Sequence, residues 1–182
     1  IGTMVVTSVL ILLFLIFITI PLVSLFTRVS QEDFITALSS PLAMDALWLS
    51  AVTATLITVV VVVLGTPLAY VNARVVYRGR NIVDTLTDLP IVLPPTVAGL
   101  ALLMTFGRNG LLGQYLNIFD IQIAFTTIAV VIAQIFVASP FYIRQARSSF
   151  EAVDLNFEAA SRTLGATPLM TFFKVTLPLT AG

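Results

Sequence analysis

Few residue types in this chain could do chemistry. Carboxylates are the candidates for acid–base work. The most suggestive of them is Glu158, four residues before Arg162 in the stretch Asp154-Leu-Asn-Phe-Glu-Ala-Ala-Ser-Arg-Thr-Leu-Gly165. No Cys and no His occurs in the 182 residues. That removes thiolate chemistry, a disulfide framework, and the commonest metal ligand and general base. The single Lys, Lys174, follows Phe173, so the Gly-Lys-Thr/Ser loop that cradles phosphates is absent. The chain alone is not expected to hydrolyse a nucleotide by that route, to hold a metal or to be an enzyme. No cofactor is expected in it.

The elements that must position Glu158 follow from composition. Hydrophobic residues make up 58% and charged residues 10% of the chain, and the mean hydropathy is +1.06. A soluble domain carries roughly 25% charge, so lipid is the solvent for most of this chain. Nine basic residues balance nine acidic ones. A nucleic-acid partner bound through a basic patch is therefore not expected. The chain begins at Ile1 and ends at Gly182 without a polar tail, which reads as a piece of a longer membrane protein.

Crossing roughly 30 Å of hydrocarbon takes about 20 helical residues. Four stretches meet that need, at about 4–26, 46–71, 86–106 and 121–143. The first is too long for a signal-peptide core. The β-branched run Val59–Val63 does not argue for a strand, because lipid demands backbone pairing within the segment. The predicted fold is an all-α polytopic bundle. Prolines mark each span: Pro21, then Pro67 beside Gly65, then Pro90, Pro94 and Pro95, then Pro140. Proline removes a backbone donor and bends a helix. Such bends are either packing kinks or the walls of a path that opens and closes.

Arg74, Arg78, Arg80, Arg144, Arg147, Arg162 and Lys174 fall on one face, and Arg28 and Arg108 on the other. The positive-inside rule puts the first set, and the N-terminus, in the cytoplasm. Residues 27–45 and 107–120 then form outer loops, with Trp48 near the outer interface. The cores of the second, third and fourth spans carry no ionisable residue. That argues against a proton relay. The mildly polar Thr53, Thr55, Thr58, Thr96, Thr105, Thr126, Thr127 and Gln134 remain, and a threonine in a membrane helix more often bonds its own helix or a neighbour than a substrate.

After Arg144 the pattern becomes amphipathic. Ser148 and Glu151 have capping-box spacing. Asn156 can cap a short helix and Gly165 can end it in the left-handed conformation. Phe157, Ala160, Ser161 and Leu164 share one face, and Glu158 can pair with Arg162 at i,i+4. Thr167-Pro168 restarts a helix and Pro178 closes it. On mechanics alone this unit either rests on the membrane or docks a partner through its small residues.

Glu158-Ala159-Ala160, then Gly165, then Val175-Thr176-Leu177-Pro178 resembles the EAA loop of ABC-importer permeases. Nine residues separate Gly165 from Val175, as that pattern requires. Four separate Ala160 from Gly165, one more than its shortest form, so the position of the family's Glu is open by one residue. Leu89-Pro-Ile-Val-Leu-Pro-Pro-Thr-Val-Ala-Gly99, Phe106–Gly113 and Phe136–Arg144 resemble the oxyanion branch. Molybdate is the first expectation there, tungstate or sulfate the next. The resemblance implies coupling through Glu158, Ala159, Ala160, Gly165, Leu177 and Pro178. It makes Pro94, Pro95, Thr96, Gly99 and Gln134 candidates for the pathway. It implies a permease dimer in the plasma membrane, a cytoplasmic ATPase subunit that binds the ATP, and an extracytoplasmic substrate-binding protein. It also implies further spans after the Leu-Pro, without which residues 1–182 should not transport. The competing readings are a secondary carrier or channel fragment and a membrane scaffold that docks a cytoplasmic partner.

Overall fold

A computed structural model describes residues 2–180, with side chains for all of these except 2, 3, 25, 26, 28 and 31. Arg28, assigned above to the outer face, has its side chain outside that set. The described chain is α-helical, without a strand among its described residues. Three helices are long and apolar enough to cross a membrane, and a fourth crossing arises if a bent pair counts as one. Two compact units divide within one long helix, as residues 1–52 and 53–182.

In the first unit, α1 (Gly2–Arg28) is apolar around its whole circumference, with Pro21 inside it. Its large side chains from Met4 to Val23 are exposed, which suits lipid and not water. The expected loop 27–45 contains a helix, α2 (Gln31–Leu38). Ser30 caps it: its Oγ accepts from the Asp33 N–H at 3.0 Å and donates to the Asp33 carboxylate at 2.6 Å. Glu32 and Asp33 in the first turn suit the positive helix end. Pro41 opens α3 (Pro41–Arg74), a position that needs no N–H donor.

The second unit contains the rest of α3. Thr53, Ile57, Val61, Gly65, Ala69 and Asn72 are its buried residues, a stripe close to i,i+4 spacing. A Cβ on Gly65 would stand 2.9 Å from Tyr142 Cδ1 and 3.2 Å from Ile143 Cγ1. Glycine therefore permits a close crossing of α3 and α7 (Thr127–Ala152). The Thr66 and Tyr142 hydroxyls meet beside it at 2.6 Å.

The third expected span, 86–106, is not one straight helix. It divides into α4 (Arg80–Val92) and α5 (Pro95–Phe106), bent by 114°. Two prolines in succession give the reason. A residue before proline is driven out of the helical region. Leu93 precedes Pro94 and takes ψ 130°, and Pro94 precedes Pro95 and takes ψ 141°.

The fourth helix is displaced along the chain from the expected 121–143. Residues 121–126 are irregular, with Phe125 at φ 63°, and α7 runs on through Arg144 to Ala152. Ser148 is thus inside a helix and caps nothing. Glu151 pairs instead with Arg147 at 2.8 Å, one turn back. A short α6 (Gly113–Leu116) and a 3₁₀ turn (Asn117–Phe119) lie between α5 and α7.

The core of this unit sits where α3 and α7 end. Ala69, Ile143 and Phe150 are buried there, with Tyr70 and Phe172 packed on them. Tyr70 meets Phe150 and Phe172 edge-on, with ring centroids 5.5 and 5.1 Å apart.

Candidate functional site: the helix–glycine–helix segment

Local chemistry builds the segment. Asp154 caps α8 (Leu155–Thr163), its Oδ1 accepting from the Asn156 N–H at 2.9 Å. The expected cap, Asn156, is therefore one residue inside the helix. Its side-chain amide donates to the other Asp154 oxygen at 3.2 Å. Gly165 stands at φ +87°. Its N–H donates to the Arg162 carbonyl at 3.0 Å, and the Ala166 N–H to that of Ser161 at 3.1 Å. These are the two bonds of a Schellman ending, which wants glycine at that position. Thr167 then caps α9 (Pro168–Thr171), accepting from the Met170 N–H at 3.3 Å. Across the turn, the Ser161 and Thr171 hydroxyls meet at 2.8 Å.

Pro178 does not close the helix as expected. A π turn (Phe172–Thr176) follows α9 and leads into α10 (Leu177–Leu179), where Pro178 sits in the first turn. The Leu177 N–H reaches back five residues to the Phe172 carbonyl. Proline crowds the carbonyl four residues before it and offers no donor. A widened turn just upstream accommodates both defects, and the chain stays helical through Leu179.

Burial inverts the expected faces of α8. Phe157 is 56% and Leu164 88% exposed, and Leu155, Ala159 and Ala160 are exposed with them. Glu158 is the buried residue of the helix, at 5%. Its partner is Arg74, at the end of α3, and not Arg162. Arg74 Nη2 stands 2.8 Å and Nε 2.9 Å from Glu158 Oε1. The same Nη2 donates to the Val153 carbonyl, just past α7, at 3.0 Å. The Thr176 hydroxyl donates to Oε1 at 3.1 Å, and the Tyr70 hydroxyl to Oε2 at 3.4 Å. A buried charge is tolerable when it is paired and supported by further hydrogen bonds, and both conditions hold here, with most of the support on Oε1.

A second polar cluster binds α3, α4 and α7. Asp84 accepts from Asn72 Nδ2 at 2.8 Å and pairs with Arg147 at 2.9 Å. The Tyr77 hydroxyl donates to the Asn72 side-chain oxygen, Oδ1, at 2.6 Å. Arg144 pairs with Asp88 at 2.7 Å on the exposed flank. Every buried side-chain polar atom among the described residues has a partner.

Of the residues singled out for coupling, the structure brings Glu158, Ala159, Ala160 and Gly165 into one unit. Leu177 and Pro178 follow on the same continuous segment as Thr176. Sequence reasoning missed Arg74, Tyr70 and Thr176. One signal was available: a lone acid between Phe157 and Ala159 needs a cation once its helix packs on another. The pathway candidates are not gathered in one place. Gly99 lines an apolar cavity of about 630 Å³ with Phe106, Phe125, Thr126 and Thr127, and Pro94, Pro95, Thr96 and Gln134 do not. The Thr126 hydroxyl donates to the Ile123 carbonyl at 2.6 Å and so bonds locally.

Comparison with known proteins places this geometry. Residues 61–182 match the family model described as binding-protein-dependent transport system inner membrane component. A molybdenum transport system permease protein of Mycobacterium bovis is 42% identical over 91% of this chain and 62% of its own length. A molybdate/tungstate transport system permease protein of Pyrococcus abyssi is 38% identical over 91% and 62%. A probable sulfate transport system permease protein of Nephroselmis olivacea is 33% identical over 87% and 57%. The chain thus spans 62% of the length of the first two of these relatives. A crystal structure of a bacterial ABC transporter involved in the import of the acidic polysaccharide alginate matches with a TM-score of 0.76 over 98% of this chain and 66% of that one. At 17% identity that likeness concerns the fold alone.

Proposed function

We propose a function from one premise: the chain belongs to the family of binding-protein-dependent transport system inner membrane components. In our reading it is the membrane permease domain of an ATP-binding-cassette importer for an oxyanion. Molybdate is the preferred cargo, with tungstate and sulfate next, in keeping with the names of the similar permeases. The protein works in the plasma membrane with its N-terminus in the cytoplasm. It pairs with a second permease copy, a cytoplasmic ATPase subunit and an extracytoplasmic binding protein. ATP belongs to the ATPase subunit.

The exposed apolar face of α8 carries this reading. Phe157 and the C-cap residue Leu164, seven positions apart and so on one side of the helix, are exposed, while the one acid of the helix is turned inward. An apolar face on a firmly held helix suits insertion into a groove of a partner. In this arrangement Ala159 and Ala160 permit close approach, Gly165 sets the angle of the turn, and Leu177-Pro178 fixes the return. Glu158 acts from behind, by holding α8 in place. The pathway is proposed to pass the α4–α5 bend at Pro94, Pro95 and Thr96, with Gly99 and Gln134 beyond it. A route without fixed cations would let an oxyanion pass without trapping it.

ATPase stimulation in the reconstituted full-length complex tests the reading. Binding protein loaded with molybdate should raise ATP hydrolysis, with tungstate and sulfate ranked against it. If none of the three loads stimulates, the oxyanion-importer reading fails. Uptake that proceeds without ATP would favour a secondary carrier.

A further inference from the structure

We propose that Arg74 and Glu158 form the positioning link by which a displacement of α8 reaches α3. The proposal rests on α8 being the ATPase-docking segment. It adds that the acid in this segment faces its own permease and not the partner.

Glu158 is 5% exposed, and its carboxylate is occupied by Arg74, Thr176 and Tyr70. Oε1 takes three donors and Oε2 the longer Tyr70 bond, so the carboxylate is engaged on the inward side of α8. These donors come from the end of α3 and from the π turn, and Arg74 also holds the carbonyl that follows α7. Three pieces of chain therefore meet at one carboxylate, and Arg74 ties in a fourth. Apolar packing beside it, among Tyr70, Phe150 and Phe172, joins α3, α7 and the π turn but does not include α8. The ion pair differs. Separating two buried charges leaves each uncompensated, so α8 and the end of α3 move together in tension as well as in compression. Ala159, one residue on, is exposed. That resolves the one-residue spacing ambiguity: the outward position of the triplet here is an alanine.

The test uses the full-length permease with its ATPase and binding protein in liposomes. Molybdate-loaded binding protein drives it, and the readout is molybdate transported per ATP hydrolysed. Loss of stability alone would lower the yield of complex or its melting temperature without changing that ratio. Glu158→Gln should reduce the ratio about tenfold, within the usual range of coupling between sites. Arg74→Lys keeps the charge but loses the planar fork, and should reduce the ratio less, in a complex that assembles. An unchanged ratio in assembled Arg74→Lys complex overturns the proposal, whether or not Glu158→Gln folds. Leu164→Asp, on the exposed face, separates the two ideas. If it leaves stimulation intact, α8 is not the docking segment and the underlying reading fails. If it abolishes stimulation while Arg74→Lys changes nothing, only the link fails.

Discussion

Two ion pairs of nearly equal length join elements of the second unit. Arg74–Glu158 measures 2.8 Å and Arg144–Asp88 measures 2.7 Å. Their side chains differ in exposure, 9% and 6% against 64% and 38%. Length therefore says little about what each contributes. The exposed pair exchanges water for a partner and back at small cost, and salt screens it. The buried pair has given up its water, so each member depends on the other. Only the buried pair makes the positions of two helices conditional on one another.

Mutations can break or sharpen this contrast, and unfolding in mixed micelles measures each. Glu158→Ala should have the largest effect, a loss of about 3–5 kcal/mol, since Arg74 is left buried and unpaired. A loss near that of a surface pair would erase the distinction. Thr176→Val keeps the shape but removes one donor to the buried carboxylate. It should cost about 1.5–3 kcal/mol, the usual worth of a hydrogen bond to a charged group. Gly165→Val forces a β-branched residue into the left-handed region at about 1–2 kcal/mol, and it should also uncouple ATP hydrolysis from transport by turning α8. Asp88→Asn should have the smallest effect, about 0–1 kcal/mol, and it should shrink further as salt is raised. If Asp88→Asn matched Glu158→Ala, exposure would not be the variable that matters.

The same contrast marks what sequence reasoning could reach. The helical fold follows from hydropathy, because a continuous apolar run of about 20 residues satisfies its own backbone in lipid as a helix. The Gly165 ending and the Thr167-Pro168 restart follow from local bonds among a few neighbouring residues, which spacing reveals. The Arg74–Glu158 pair joins residues 84 positions apart, and no local pattern announces it. The local i,i+4 alternative, Arg162, looked sufficient and was wrong. Ser148 failed as a cap for a related reason: cap spacing carries weight only where a helix has cause to begin, and α7 was already running through it. The bend between α4 and α5 was half visible. Pro94 and Pro95 announced a break, but the size of the bend, 114°, comes from two successive extended residues, Leu93 and Pro94, whose combined effect spacing does not show.

The close crossing at Gly65 has a kinematic consequence. There α3 touches α7 at Tyr142 and Ile143, and nine residues later Arg74 holds the carbonyl at the end of α7. At 1.5 Å per residue these two points of attachment lie roughly 14 Å apart. Between them Ala69 packs with Ile143 and Phe150, and Tyr70 meets Phe150 edge-on. The ends of α3 and α7 are thus fastened along a line and not at a single point, so a displacement delivered to Arg74 carries both helix ends as one piece.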